Sequence, residues 1–400
     1  MTDRPVLLKN PIQHYAWGSK TEIQQLLGGQ PETERPWAEV WMGAHPKAPS
    51  QVLVNNDRTN LDEWIRSHPE AVLGDAAART YEDTLPYLFK VLAADQPLSI
   101  QAHPDRTRAL EGFERENRRG IPIEAPNRNY RDPWPKPELI CALKPFGALL
   151  GFRNPGAIVE GFRHFCPRSL APEIAALADR PEARGIERFF HSLMTLGQTR
   201  SKQVIEEALK QDGGSGWPEA AWIRRLHVFY PGDIGVLAPV FLNLAEIVPG
   251  SAVFLPPGML HAYLYGVGIE IMANSDNVLR GGLTQKHVDV DELMHVLQFA
   301  PFSVQQMQPE PVRAHEKQYP SPAREFTLSE ITIRAGEIYC SSEAHSAEIL
   351  LCLAGSADIE TPADQYRISI AKGQSALVPA AAGPWQVTGD ARIYKAGVRP

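Results

Sequence analysis

The sequence lacks several features that would assign it to a class at once. It has no run of about 18 apolar residues, the length that a membrane-spanning helix requires. Its N-terminus, Met1-Thr2-Asp3-Arg4-Pro5, has neither the basic start nor the long apolar stretch of a signal peptide. We therefore expect a soluble protein that is not exported, with a cytoplasmic location.

A dense basic block is also missing. The formal net charge is -7, and lysine and arginine are spread along the chain. This distribution argues against nucleic acid or an anionic membrane as a partner. We expect a small molecule as the partner, and a monomeric protein.

The cysteines do not form a recognisable metal or disulfide pattern. The four of them lie far apart without a C-x-x-C pair, and most have apolar or aromatic neighbours: Cys141, Cys166, Cys340 and Cys352. Such cysteines are typical of buried thiols in a reducing compartment.

What is present is ordinary globular composition with a mainly β pattern. The 400 residues are 43% hydrophobic and 22% charged, enough for two or three packed units. Short β-rich runs broken by glycine and proline fill residues 5–55, 86–152 and 235–275, which indicates a sandwich or barrel. Helical periodicity at 61–73 and 155–209 predicts helices, the second set followed by the glycine-rich loop Gly213-Gly214-Ser215-Gly216.

Two β regions share a spacing of glycine and proline. The stretch from Gly250 to His261 reads GSAVFLPPGMLH. From Gly373 the same spacing begins again, but Ala381 and Pro384 stand where the second glycine and the histidine would be. The first copy resembles the second cupin motif, in which a strand and a tight turn deliver a histidine to a metal inside a jelly-roll barrel. The resemblance implies a metal-loaded barrel and a second, metal-free one.

These signals predict a discontinuous fold that is mainly β with a helical insertion. We expect a cupin jelly-roll catalytic barrel from residues 1–152 and 235–308, with the insertion at 153–234. A proline-rich linker at 309–322 begins a C-terminal cupin-like β domain at 309–400.

Four dispersed residues have the chemistry of a metal site. Gln101 and His103 alternate along one strand, so both side chains point to the same side. Glu138 begins another apolar strand, and His261 ends the turn described above. Two imidazoles with oxygen ligands suit zinc and leave positions for water or a substrate hydroxyl. The alternative is that both histidines are structural and Gln101 pairs with a loop.

Seven blocks of sequence resemble type I mannose-6-phosphate isomerases, in the family's order over roughly residues 6–290. They are YAWGS at 15–19, AEVWMGAHP at 38–46, LFKVL at 88–92, PLSIQAHPD at 97–105, KPE at 136–138, PPGMLHAY at 256–263 and SDNVLRGGLTQK at 275–286. The resemblance implies one zinc ion per chain, with Gln101, His103, Glu138 and His261 as its ligands. It also implies reversible conversion of mannose 6-phosphate to fructose 6-phosphate through a cis-enediol, within carbohydrate metabolism and GDP-mannose biosynthesis.

The same blocks supply candidates for catalysis and substrate binding. Arg280 matches the family's catalytic arginine, and its rigid guanidinium suits an enediolate or a phosphate. Lys136, two residues before Glu138, is the acid/base candidate. Lys286, Lys90 and Ser99 are candidates for the substrate phosphate, and Glu270, Asp276 and Tyr263 for sugar hydroxyls. For Trp17 and Trp41 we expect packing roles.

One departure from the family affects the mechanism. The family commonly has His-Lys-Pro-Glu, whereas this chain has Trp134-Pro135-Lys136-Pro137-Glu138. A proton-shuttling role of that histidine cannot be transferred to this chain. Ring opening would then fall to another group, either a water on the zinc or Asp276.

Three alternatives stay open at this point. A cupin metalloenzyme of another class, such as an iron dioxygenase, would require redox-active iron. A sugar-phosphate sensor would need an output module, and we find no helix-turn-helix with a basic face. An isomerase homologue without activity would keep the ligands and differ near Pro135.

Overall fold

A computed structural model describes residues 2–30, 34–54, 57–166, 168–211, 217–363 and 365–399. The glycine-rich loop predicted at 213–216 lies outside these ranges. Across the part of the chain that the structure describes, none of the helices combines the length and the apolar character needed to cross a membrane.

Strands dominate both ends of the chain. They are β1 Val6–Lys9, β2 Ile12–Gln13, β3 Glu39–Gly43, β4 Gln51–Val54, β5 Asp57–Asn60, β6 Tyr87–Ala94, β7 Ile100–Ala102, β8 Glu138–Ala142, β9 Phe146–Phe152, β10 Leu242–Ile247, β11 Ala252–Leu255, β12 His261–Ala273, β13 Leu279–Gly282, β14 Glu310–Arg313, β15 Glu316–Gln318, β16 Thr327–Ile333, β17 Ile338–Cys340, β18 Glu348–Thr361, β19 Tyr366–Ala371, β20 Ser375–Val378 and β21 Gln386–Gly397.

Helices lie mostly in the first three quarters of the chain. They are α1 Glu22–Leu26, α2 Leu61–Ser67, α3 Pro69–Leu73, α4 Asp75–Thr80, α5 Arg106–Arg118, α6 Pro155–Phe165, α7 Ala171–Asp179, α8 Ala183–Met194, α9 Gln198–Leu209, α10 Pro218–Phe229, α11 Ala238–Phe241 and α12 Val290–Val296. The helix predicted at 61–73 is divided into α2 and α3 at His68, because the residue before a proline disfavours helical backbone angles.

The first sheet is organised around the long strand β12. It runs in the order β10-β9-β12-β6-β3-β2, and β7, β8, β11 and β13 pair with it on branches. β12 begins at His261 because the preceding turn needs Gly258, which has φ of +81°, a left-handed conformation that other residues rarely adopt. A Cβ atom at position 258 would also lie 3.0 Å from the carbonyl oxygen of Val296. The turn therefore fixes where His261 enters the sheet.

The second sheet combines strands from both ends of the chain. Its order is β14-β15-β16-β21-β18-β20-β1-β4-β5, with β17 and β19 paired to β21 and β18. β1 pairs antiparallel with β20, so this N-terminal segment covers what would otherwise be an open strand edge. The pattern of short strands could not predict this pairing, and the N-terminal strands β1, β4 and β5 belong to the C-terminal sheet. The domain boundaries proposed from sequence stay a prediction.

The insertion predicted at 153–234 contains α6 to α10. Asn154 begins α6 by accepting a hydrogen bond from the Gly156 amide, and Pro155 occupies the first helical turn, where its missing N–H costs nothing. Buried aromatic residues of these helices, including Phe162 and Phe190, share one core with Ile100 of β7 and Leu279 of β13. The helices thus pack directly against two strands that carry predicted site residues.

The two sheets are joined by a common core and by buried polar contacts. Val91 and Ile269 of the first sheet lie in the same hydrophobic cluster as Ile349 of the second. Tyr319 donates its hydroxyl to the Gly250 carbonyl at 2.9 Å and receives a thiol contact from Cys141 at 3.1 Å. The sheets are therefore packed as a single body at this interface.

Strands of the second sheet carry a buried cluster of charged side chains. Lys395 Nζ lies 2.9 Å from Glu316 Oε1 and 2.8 Å from Glu348 Oε1. Tyr339 donates to Glu316 Oε2 and Trp385 Nε1 donates to Glu348 Oε2, each at 2.9 Å. Burial disfavours the ammonium form, but the carboxylate of Glu348 and the other neighbours hold the pKa of Lys395 above its ordinary value. An internal lysine thus balances two buried carboxylates.

We predict that Lys395→Met destabilises the protein by about 3 to 5 kcal/mol, because it removes the buried ammonium partner of Glu348 and leaves Glu316 paired with Arg313 alone. Chemical denaturation of the variant and the unchanged protein measures the difference. Lys372→Met, at an exposed lysine of the same sheet, is the matched control and should have little effect. Equal stabilities of the two variants would contradict a stabilising role for the cluster.

Candidate metal centre and active site

Strand pairing places Gln101 between two other predicted site residues. On one side β12 sets His261 opposite Gln101, and on the other side β13 sets Arg280 opposite it. Side chains of directly opposed residues in antiparallel strands lie on the same face of the sheet. His103 follows two residues after Gln101, so it continues the same face just beyond the end of β7.

Glu138, the first residue of β8, lies between the two imidazoles. Its Oε1 is 3.3 Å from His103 Nε2, and its Oε2 is 3.3 Å from His261 Nε2. All three side chains are buried, and their potential ligand atoms lie within 4.8 Å of one another. Gln101 donates its amide nitrogen to Ser99 Oγ at 3.1 Å, so its carbonyl oxygen is the atom of this side chain able to bind a cation.

Backbone carbonyls set the tautomer of both histidines. His103 Nδ1 is 2.7 Å from the Asn277 carbonyl oxygen, and His261 Nδ1 is 3.1 Å from that of Met259. Because a carbonyl oxygen only accepts, each Nδ1 carries a proton, and in a neutral ring with this tautomer Nε2 presents a lone pair towards Glu138. Burial lowers the pKa of His103 to about 4, which favours the neutral ring.

The resulting arrangement of acceptors fits a cation. An unprotonated imidazole nitrogen cannot donate to a carboxylate, and the buried His103 Nε2 has no hydrogen-bond partner among the described residues. A buried polar atom without a partner is costly unless another group satisfies it. Neutral imidazoles, a carboxylate and an amide oxygen are suitable ligands for zinc.

Lys136 is the nearest ammonium group to these acceptors. Its Nζ lies 3.4 Å from Glu138 Oε1, and the lysine is buried. Burial on its own raises the pKa of Glu138, whereas the adjacent Lys136 ammonium favours its ionised form. Glu138 is therefore ionised, as a metal ligand must be.

Gln101, Lys136, Glu138 and His261 line a cavity of about 750 Å³, a volume typical of small-molecule sites, and His103 lies behind them. Of the residues predicted from sequence, those that line it are Lys90, Ser99, Gln101, Lys136, Glu138, His261, Tyr263, Glu270, Arg280 and Lys286. The lining also includes residues given packing roles or none at all: Tyr15, Trp17, Glu39, Tyr230, Leu283, Thr284 and Gln285.

Lys90 is already engaged by two carboxylates. Its Nζ is 3.0 Å from Glu270 Oε2 and 3.6 Å from Glu39 Oε1. Tyr263 donates its hydroxyl to Glu270 Oε1, and Trp41 Nε1 donates to Glu39 Oε2, both at 2.7 Å. The phosphate contact predicted for Lys90 would have to compete with these ion pairs, so its ammonium is better placed to orient Glu270.

Several cations also border this cavity or lie close to it. Arg280 is half-buried, and burial together with the charge of Arg131 lowers its pKa. Burial and then the cations Arg280, Arg131 and Lys47 lower the pKa of Lys286. Clustered cations of this kind repel one another, so they favour an anionic ligand between them.

Asp276 is held by two other residues. Its carboxylate lies 3.5 Å from His45 Nε2 and 2.8 Å from Lys47 Nζ. Although burial favours the neutral acid, these contacts hold the pKa of Asp276 well below its ordinary value. These partners occupy the carboxylate of Asp276. The contact with a sugar hydroxyl that the sequence suggested for it stays a prediction.

Pro135 lies at a different surface from the cavity lining described above. With Trp134 it borders a small separate space against Tyr81 and Ala273. The Trp134 ring is covered by the Arg106 guanidinium, 3.9 Å from the ring centroid. The departure from the family block therefore concerns a position that borders a different space from the cavity lined by the proposed metal ligands.

Two of the unpredicted lining residues come from distant parts of the chain. Tyr15 lies in a block that resembles the family. The resemblance alone could have suggested that Tyr15 lines the site. Tyr230 follows the last helix of the insertion, and its hydroxyl donates to the Pro97 carbonyl at 2.7 Å. Helical periodicity gave no signal for a residue just beyond a helix end.

Comparison with known proteins agrees with this geometry. The family model "Phosphomannose isomerase type I, catalytic domain" matches residues 6–155, and "Mannose-6-phosphate isomerase, cupin domain" matches residues 315–396. The mannose-6-phosphate isomerase of Salmonella typhimurium is 39% identical over 393 residues, covering 97% of this chain and 98% of that protein. The human mannose-6-phosphate isomerase is 33% identical, with 90% of each chain covered.

The chain belongs to the type I phosphomannose isomerase family. A crystal structure of zinc-bound mannose 6-phosphate isomerase superposes with a TM-score of 0.88 at 37% identity, covering 99% of this chain and 100% of that one. A mutant of the phosphomannose isomerase from Salmonella typhimurium gives a TM-score of 0.91 at 37% identity, with the same coverage. The predicted fold class and the predicted family are confirmed.

Proposed function

We propose that this member of the phosphomannose isomerase family reversibly converts mannose 6-phosphate to fructose 6-phosphate. The observation that carries the proposal is the convergence of His103, Glu138 and His261 beside a cavity that Arg280 also lines. A dioxygenase would not need a guanidinium and further cations beside the ligands. Both features suit a phosphorylated substrate that becomes an anionic enediolate.

We propose zinc as the resident cation, with Gln101, His103, Glu138 and His261 as ligands. This choice is supported by the two neutral imidazoles, the ionised carboxylate and the unpartnered His103 Nε2. Bound there, zinc would supply Lewis acidity towards the adjacent oxygens at C1 and C2 of the sugar.

Side chains of the cavity would bring about the transfer of hydrogen between C1 and C2. The Lys136 ammonium, buried beside Glu138, is the candidate to exchange a proton with the substrate. Arg280, directly across from Gln101, would donate to the oxygen that becomes negative in the enediolate. Glu270 is oriented by Lys90 and Tyr263 and would accept from a sugar hydroxyl.

The phosphate of the substrate would lie beside the cations that border the cavity. Lys286 is the residue there that can reach it as a point charge, with Ser99 of the same cavity as a hydroxyl donor. Lys90 would act on the sugar indirectly, through Glu270. This orientation would place the sugar carbons between the proposed metal ligands and Arg280.

We also propose that the protein works as a monomer in the cytoplasm. The location is supported by free cysteines, three of which are buried, and by the absence of a disulfide among the described residues. The partner is then the sugar phosphate alone.

A coupled assay with mannose 6-phosphate tests the proposed reaction. We expect chelation to abolish isomerisation and added zinc to restore it, because the four ligands form a single cation site. Full activity in a sample verified to be free of metal would refute the proposed mechanism.

Arg280→Ala should lower kcat by about 100-fold or more and change substrate binding much less, because the guanidinium is proposed to stabilise charge that forms in the transition state. Steady-state kinetics separate kcat from KM. Arg79→Ala, at an exposed arginine of α4, is the control and should behave like the unchanged protein. An unaltered kcat in Arg280→Ala would remove this residue from the catalytic group.

Pro135→His restores the residue usual in the family and should leave kcat essentially unchanged. The physical reason is that position 135 borders the small space beside Tyr81 and not the larger cavity. The same kinetic assay measures the effect. A marked rise in kcat would mean that a histidine at this position reaches the substrate after all.

A further inference from the structure

The loop that follows Arg280 forms a large part of the cavity wall. β13 ends at Gly282, and the next four residues, 283–286, all line the cavity. Lys286, the proposed phosphate contact, is the last of them. The position of its ammonium group therefore depends on the path of the loop.

That path contains an unfavourable backbone conformation. Leu283 has φ of +53°, in the left-handed region that side chains with a Cβ atom rarely adopt. The residue is also fully buried, so its side chain cannot relax into solvent. Conformations of this kind persist only where the surroundings hold them in place.

The group that holds the loop comes from the helical insertion. Asp233 Oδ2 accepts a hydrogen bond from the Thr284 amide at 3.0 Å, and Asp233 Oδ1 accepts one from the Gly235 amide at 2.7 Å. Thr284 Oγ1 in turn accepts from the Lys286 amide at 3.0 Å. A continuous chain of hydrogen bonds thus runs from Asp233 to the backbone of Lys286.

The backbones at this contact approach each other closely. A Cβ atom added to Gly235 would lie 2.9 Å from the Leu283 amide nitrogen and 3.1 Å from Gly282 Cα. Real Cβ atoms essentially never come so close to a backbone, so only glycine permits the contact at position 235. The Asp233 carboxylate and the Gly235 backbone together form a cradle for the turn at Leu283.

We propose that Asp233 is a positioning residue, which fixes the loop carrying Lys286 beside Arg280 and so sets the affinity for the phosphorylated substrate. The proposal rests on the proposed isomerase function. Asp233 does not line the cavity, so it acts through Thr284 and Lys286 rather than on the substrate. The helical insertion thereby contributes to substrate binding without supplying the main binding charges.

The test compares Asp233→Asn with Asp289→Asn. The asparagine at 233 keeps one acceptor and presents an amide N–H₂ group where the second acceptor was, so it can no longer accept from both the Thr284 amide of the loop and the Gly235 amide of its own turn. Asp289 is a matched control, because it also accepts two hydrogen bonds, from the Glu292 amide and from Asn129 Nδ2, and caps the nearby helix α12.

We expect Asp233→Asn to raise KM for mannose 6-phosphate by about ten-fold and to change kcat much less, as loss of one charge-assisted hydrogen bond predicts. Asp233→Ala, which keeps neither acceptor, should have the larger effect. Asp289→Asn should leave KM unchanged. An unaltered KM in both Asp233 variants, or equal losses in the Asp233 and Asp289 variants, would overturn the proposal.

Amide hydrogen exchange provides a readout that does not depend on activity. The amides of Thr284 and Lys286 should exchange faster in Asp233→Asn and keep their protection in Asp289→Asn. If the unchanged protein failed to isomerise mannose 6-phosphate, the proposed function would fall while exchange would still decide whether Asp233 holds the loop. Unchanged exchange in a fully active Asp233→Asn protein would refute the positioning role alone.

Discussion

The buried carboxylate of Glu138 is the interaction on which the rest of the site depends. Transferring a carboxylate from water into the protein costs several kcal/mol unless cations and donors surround it. Here Lys136 lies 3.4 Å away, while both histidines present lone pairs instead of protons. Glu138 is thus only partly compensated by the protein itself, and a divalent cation between it and the imidazoles would complete the compensation.

The charges around this point explain why an anionic substrate is favoured there. Glu39, Glu138 and Glu270 are balanced by Lys90 and Lys136, so these five groups carry one net negative charge. A bound divalent ion would change that balance to one net positive charge, with Arg280 close by. The net charge of these five groups would therefore change sign when the metal binds.

The second sheet contains a group of residues similar to the one around Lys90, but that group does not border the cavity. In the first sheet, Lys90 lies between two glutamates that also accept from a tyrosine and a tryptophan. In the second sheet, Lys395 lies between two glutamates with the same pair of donors. The first group borders the cavity, whereas the second is enclosed, so its lysine can only serve the balance of charge inside the protein.

How much could be predicted from the sequence depends on how far apart along the chain the interacting residues lie. The four proposed ligands belong to short local motifs, and strand alternation with the turn at Gly258 suffices to point them inwards. The pairing of β1 with β20 and the ion pairs of Lys90 depend on contacts between distant segments, which periodicity does not record. Asp233 gave no signal in the sequence, because its role appears only when the insertion meets the loop after Arg280.

The insertion enters and leaves the sheet through β9 and β10, which pair with each other, so its helices are held beside β7 and β13. This connection explains how a segment without metal ligands comes to support the substrate-binding loop.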